Sequence, residues 1–286
     1  ADWLLGFIPA NPIKAAAEGE VVAVVLFALI FGFALTRIAE ARRAQLTGLF
    51  DALTDALLVV VNWVLWLAPI GVFALALVAG ARSGLATAGA LLHYIGFIVL
   101  ICLVVTLLVY PLVTLLGRIA PGRFARAAFP AQAIAFSTQS SIASLPAMIQ
   151  ASDGPLAIRP TTRSIVLPLA ISLFRITSPP ANLGVALYVA AMNGVAIGPA
   201  QMVMGVAVAA IVSLAAVGLP SQVSFFTTTG PICLAMGVPV EALPLLLAVE
   251  TVPDIFRTVG NVTADMAVTR IIDQNALTAP DAPSLS

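Results

Sequence analysis

The sequence predicts an all-α polytopic membrane protein, and three observations carry that prediction. Of its 286 residues, 61% are hydrophobic and 9% charged, with a mean hydropathy of +1.09; a soluble domain is nearer half apolar and a quarter charged. Apolar stretches of about 20 residues, long enough to cross a bilayer as helices, recur along the chain. Several of the few ionisable groups inside such stretches gather in one segment, "VPDIFRTVGNVTAD" (Val252–Asp265).

The clear spans are Val21–Ile38, Ala56–Val78 and Ala90–Leu116. Beyond them the pattern changes. Residues 127–150 and 203–236 are apolar but interrupted near their midpoints by "STQSSIASLP" (Ser137–Pro146) and "SLAAVGLPSQ" (Ser213–Gln222). Each half is too short to span alone, and proline inside a continuous helix costs about 3 kcal/mol or more. Two re-entrant helical hairpins, buried in protein, resolve both problems. Each is followed by an apolar helix with a polar intrusion, "LFRITSPP" (Leu173–Pro180) and "DIFRTVGN" (Asp254–Asn261). This is an internal repeat with diverged copies, 29 residues from Pro146 to Arg175 and 37 from Pro220 to Arg257. Paired interrupted segments of this kind point to inverted repeats around a transporter's binding site.

The net charge is zero, which argues against a nucleic-acid partner. Cys102 and Cys233 lie far apart in apolar runs and read as buried thiols, not a disulfide or a metal site. His93, the single histidine, has no carboxylate or cysteine at ligand spacing and reads as a membrane-interface residue. Ser140 and Ser141 have only Gln139 beside them, and with no catalytic histidine or metal-ligand cluster an enzyme is not expected. The opening "ADWLLGFIPANPIKAAAEGE" has no basic region followed by a cleavage site, so it is not a signal peptide and reads as the middle of a longer chain.

Arginine placement gives an orientation. Arg37, Arg42, Arg43, Arg118, Arg123, Arg126, Arg159, Arg163 and Arg270 fall on one face if the segments alternate, with Lys14 and Arg82 on the other. The arginine-rich face is expected to be cytoplasmic. The first hairpin then enters from inside and the second from outside.

On a helix advancing 100° per residue, Glu250, Asp254, Arg257, Thr258, Asn261 and Asp265 share one sector of about 100° on an otherwise mostly apolar rod. A charge at bilayer depth costs about 2.5–3.5 kcal/mol on insertion scales, so such groups face a cavity or each other and mark a substrate or ion path. The alternative is a private ion-pair network, which Asp254 and Arg257 at i, i+3 are spaced to form.

These residues resemble the substrate helix of the dicarboxylate/amino acid:cation symporters, the glutamate-transporter homologues, which reads roughly D-x-x-R-T-x-x-N-x-x-x-D. "TQSSIASLP" (Thr138–Pro146) resembles the family's first hairpin tip, R-S-S-S-G-T-L-P, and "VGLP" (Val217–Pro220) the second. "APIGVFALAL" (Ala68–Leu77) and "IPANPIKAAAEGEV" (Ile8–Val21) resemble further family segments. The resemblance covers essentially the whole chain. It implies a glutamate-transporter-like fold with two re-entrant hairpins and inverted repeats, preceded in the family by three more helices.

It further implies a partial trimerisation scaffold at 1–85 and a transport domain at 86–272. The latter would hold helix 86–117, hairpin 127–150, helix 164–194, hairpin 203–236 and helix 241–272, followed by a cytoplasmic tail at 273–286, polar and disordered. Arg257 would hold a substrate's distal carboxylate, since a planar guanidinium suits bidentate binding. Asp254 would take an α-amino group, Thr258 and Asn261 the main-chain end, and Ser140 and Ser141 a carboxylate. Gly218 would lie in an extracellular gate running to Ser221. Asp265, with Asn261, would sit in a cation site.

The chain also departs from the family. The cation motif N-M-D-G-T aligns to Phe174-Arg175-Ile176-Thr177-Ser178, or, with an insertion, to Ala181-Asn182-Leu183-Gly184-Val185; the aspartate is lost in both. Two readings of Arg175 stay open. It is a fixed positive charge replacing a bound cation, with Thr177 and Ser178 beside it, or it snorkels or restores the charge missing at Gln139. The implied activity is secondary active symport of an acidic amino acid or C4-dicarboxylate by an elevator movement in a homotrimer, in a bacterial-type inner membrane. No cofactor is expected beyond Na+ or H+ as coupling ion. An uncoupled anion channel or facilitator, or a non-functional fragment, is the alternative.

Overall fold

The computed structural model describes residues 11–18, 21–215 and 221–278. Gly218, the second tip at Val217–Pro220 and the end of the tail lie outside these. Every regular element among the described residues is a helix: α1 (Pro12–Ala17), α2 (Val21–Leu35), α3 (Glu40–Leu116), α4 (Pro121–Thr138), α5 (Ser141–Asp153), α6 (Pro160–Leu173), α7 (Ser178–Met192), α8 (Pro199–Ala215), α9 (Ser221–Ala235), α10 (Leu243–Leu247) and α11 (Thr251–Thr278).

α3 differs from expectation. The spans predicted at 56–78 and 90–116 are one continuous helix of 77 residues, about 115 Å long against a hydrocarbon core of about 30 Å. The intervening "AGARSGLATAG" has no proline to remove a ladder hydrogen bond, and its alanines offset part of the helix-weakening effect of Gly80, Gly84 and Gly89. The two ends of α3 differ in burial. None of the described side chains from 40 to 90 is buried, and Trp63, Trp66, Ile70 and Phe73 are largely exposed. From Tyr94 onward Ile98, Cys102, Thr106, Val109 and Val113 are buried at three- and four-residue spacing, one stripe of the helix. The predicted span Val21–Ile38 is also shorter than expected, ending as helix at Leu35.

α11 is the rod around which the rest is packed; it contacts α3, α4, α5 and α6, and touches α7 and α9. α4 and α5 lie antiparallel, closed at the base by the Arg123 guanidinium donating to the Pro155 carbonyl at 3.1 Å. α8 and α9 form a second antiparallel pair, closed by Gln201 donating to the Met236 carbonyl at 2.8 Å. Two apolar cores result. One joins α4, α5 and α6 to Val262–Ala267 of α11; the other joins α7, α8, α9 and α10. The C-terminal part of α3 enters both. Cys102 and Cys233 are buried free thiols in the second core. The stretches Ala88–Leu116 and Pro160–Met192 are long and apolar enough to cross a membrane.

The helix expected at 164–194 is broken at 174–177, between α6 and α7. Pro179 and Pro180 lack the N–H groups that would bond the carbonyls of Arg175 and Ile176, so the ladder cannot run through. The helix expected at 241–272 is likewise split by turns at 248–250, where Val249 and Glu250 bond only three residues back, to Leu246 and Leu247. Pro253 follows in the first turn of α11.

The region expected as a disordered tail begins as helix. Asp273, with its side chain 1% exposed, receives the Arg159 Nε at 2.8 Å and the Thr162 hydroxyl at 2.8 Å, which fastens α11 to the start of α6. Arg270 donates to the Gly117 carbonyl at 3.1 Å. Burial pushes the Asp273 carboxyl up, but the hydrogen bonds and charge of Arg159 outweigh it and hold the group below the ordinary aspartate range. A depressed carboxylate contributes stability that is full above its unfolded pKa and fades as pH falls through the folded one. Asp273→Asn is expected to lower the thermal midpoint of the detergent-solubilised protein at neutral pH. With Arg159 39% exposed, the loss is about 1–2 kcal/mol, and the gap to wild type should close on acidification.

Candidate functional site

The polar row of α11 lies near the seam between the two apolar cores. Asp254, Arg257, Thr258, Asn261 and Asp265 are all at most 5% exposed. Glu250, placed on the same helix by periodicity, instead directly precedes it, and its backbone carbonyl accepts from the Asp254 N–H at 2.9 Å. Side chains on a helix lean toward its N-terminus, and Arg257 reaches back accordingly. Its Nη2 lies 2.6 Å from Glu250 Oε1 and its Nη1 3.4 Å from Asp254 Oδ1. Tyr94 of α3 donates to the second Glu250 oxygen at 2.5 Å.

Four residues further along, the row meets the broken strand of chain between α6 and α7. The Thr177 N–H donates to Asn261 Oδ1 at 3.0 Å, and the Thr177 hydroxyl sits 2.7 Å from the Arg257 carbonyl and 2.5 Å from Asn261 Oδ1. Asn261 Nδ2 donates to the Ser178 hydroxyl at 3.2 Å. The sequence-predicted Asn261, Thr177 and Ser178 are thus one cluster. Arg175, two residues before Thr177, has Asp254, Arg257 and Asp265 as its charged neighbours. Asp265 is 1% exposed, and its Oδ1 has no hydrogen-bond partner among the described residues. A buried carboxylate oxygen left this way suits a cation or a proton.

Ser140 and Ser141 lie at the turn between α4 and α5. The helix ends because Gln139 takes a left-handed conformation, φ 53°, and Ser140 caps α5 by accepting the Ala143 N–H at 3.2 Å. Ser141 is buried. The end of α4 meets α11 beside the row, where the Phe136 and Phe256 rings are 6.5 Å apart.

Two residues were not legible as site residues. Tyr94 is one hydroxyl in an apolar span whose partner is 156 residues away. Gly260 is the other. A Cβ there would meet Thr106 Oγ1 and the Thr177 methyl, each at 2.4 Å, so α3, α11 and the 174–177 break converge only because it is glycine. Its position beside Asn261, within "VGNV", was the available signal.

The sodium:dicarboxylate symporter family model matches residues 1–275. The chain belongs to that family. It is 30% identical over 260 residues to the neutral amino acid transporter B(0) of Bos taurus, covering 89% of this chain and 47% of that protein. It is 28% identical over 258 residues to the human neutral amino acid transporter A, covering 89% of this chain and 48% of that one. It is 26% identical over 274 residues to the proton/glutamate-aspartate symporter of Escherichia coli (strain K12), covering 94% of this chain and 61% of the symporter. The chain spans about half the length of the curated relatives it matches. These are membrane transporters, not enzymes.

Gly260→Ala is expected to push Thr177 off Asn261 and to destabilise the protein by about 1–3 kcal/mol, as overpacking does. Thermal unfolding followed by size-exclusion monodispersity checks it, and Thr177→Ser, which removes the obstructing methyl, should restore part of the loss.

Proposed function

We propose that the complete protein is a secondary active symporter of a small anionic substrate, an acidic amino acid or C4-dicarboxylate, in the inner (plasma) membrane. The observation that carries this reading is the buried row on α11, where a guanidinium, two carboxylates and an amide lie together next to a broken helix. Family membership and the relatives' names support transport of amino acids or dicarboxylates. Arg257 takes the distal carboxylate, Asp254 the α-amino group, Thr258 and Asn261 the main-chain end, and Ser140 and Ser141 a carboxylate at the first tip, with Gly218 in the second. Asp254 favours an amino acid, since a plain dicarboxylate would be repelled by it.

In this reading α4–α5 and α8–α9 are the re-entrant hairpins of two inverted repeats, and residues 86–272 move as an elevator against a trimeric scaffold that includes 1–85. The antiparallel packing of both pairs supports the hairpins. The change in burial along α3 falls close to this boundary, although the helix itself runs through it unbroken, so the movement would need α3 to bend or part there. Arg123, Arg159 and Arg270, gathered at one end by contacts among Pro155, Leu156, Gly117 and Asp273, support a cytoplasmic face there.

The coupling ion is cargo, and Asp265 is its binding group, as a proton acceptor or a sodium ligand. Arg175 supplies a fixed positive charge near it in place of one cation. Uptake by proteoliposomes under separate sodium and proton gradients tests this. Accumulation with low or no sodium requirement is expected, with sodium dependence appearing in Arg175→Met; undiminished dependence on several sodium ions in wild type would sink the surrogate role. Arg257→Gln is expected to weaken aspartate binding by about 100-fold, as loss of a buried charged partner does. Flux that never concentrates substrate would favour the channel or facilitator instead.

A further inference from the structure

Arg257 is engaged by carboxylates of its own chain. Both terminal nitrogens face carboxylates, Glu250 at 2.6 Å and Asp254 at 3.4 Å. Glu250 is fully buried and is gripped from its other side by the Tyr94 hydroxyl at 2.5 Å. Tyr94 is itself fully buried, its ring edge-on to Tyr188 at 5.2 Å. The Arg257 backbone is pinned, because its carbonyl faces the Thr177 hydroxyl at 2.7 Å. Only its side chain is left to change partners.

We infer that Glu250, held by Tyr94, is a specificity-determining residue: an internal carboxylate that occupies Arg257 and that a substrate's side-chain carboxylate must displace. This rests on the reading of Arg257 as the distal-carboxylate site and goes beyond it. An acidic substrate exchanges one buried carboxylate for another on the same guanidinium, leaving Glu250 with Tyr94 as its remaining donor among the described residues. Stranding a buried charge is costly. A neutral amino acid uses Asp254 and the main-chain groups and leaves the Glu250–Arg257 pair intact. Asp254, Arg175 and Asp265 also act on a side-chain carboxylate, but they are the same in wild type and in a Glu250 variant, so their fields largely cancel when the two preferences are compared. Glu250 therefore lowers affinity for acidic substrates more than for neutral ones and narrows discrimination by charge.

The test is calorimetric binding of aspartate and of alanine to the complete protein. Glu250→Gln is expected to raise the aspartate-over-alanine preference by about tenfold or more, because the incoming carboxylate no longer competes. Tyr94→Phe is expected to move the preference the other way, since a displaced Glu250 would then lose its last donor. A merely structural role would move both variants in the same direction. An unchanged or reduced preference in Glu250→Gln, or an increased one in Tyr94→Phe, overturns the inference, and Tyr94→Phe decides alone if Glu250→Gln does not fold. If Arg257→Gln leaves aspartate binding intact, the substrate role of Arg257 fails; if it removes aspartate binding while Glu250→Gln does not raise the preference, only the role of Glu250 fails.

Discussion

A guanidinium withdrawn from water has to be matched, and much of the α11 neighbourhood follows from matching Arg257. Its burial at 3% exposure would be prohibitive alone. Glu250 and Asp254 supply the counter-charge, and Tyr94 in turn donates to the second Glu250 oxygen. This chain of partners draws the C-terminal part of α3 against the start of α11. It also explains why α10 and α11 are separate: the turns at 248–250 bring Glu250 in just ahead of the helix that carries its partner.

The second constraint is backbone satisfaction at the interruption between α6 and α7. Two consecutive prolines remove donors from the ladder, and Asn261 accepts the Thr177 N–H that the break leaves over. Close approach there depends on Gly260. Polar side chains on α11 and irregular backbone opposite them satisfy each other, which makes a broken helix tolerable inside an apolar body.

Sequence reasoning reached the α11 row because charges in an apolar helix are costly and their period is visible in one short window. Proline and polar residues at the midpoints of apolar runs led it to expect two interruptions; the turn at Gln139–Ser140 falls within the first, and the second tip lies outside the described residues. It did not reach the breaks at 174–177 and 248–250 as breaks, because apolar composition on either side reads as one helix. Nor did it reach the unbroken course of α3, where Arg82 and the glycines around it suggest a loop between two spans but no proline enforces one. Tyr94 was out of reach for a different reason: a single hydroxyl gains meaning only from a carboxylate brought to it by the tertiary fold.

α11 is fastened to the α6–α7 arm at two heights, through Asn261 and Thr177 and through Asp273 and Arg159. Twelve residues of helix separate them, about 18 Å. One such clasp would leave a rod able to swivel about its own axis; a pair at different levels removes that freedom as well as sliding. The polar face of α11 therefore keeps a constant bearing toward its neighbours, and any motion that carries it must carry the α6–α7 arm along as a single rigid piece.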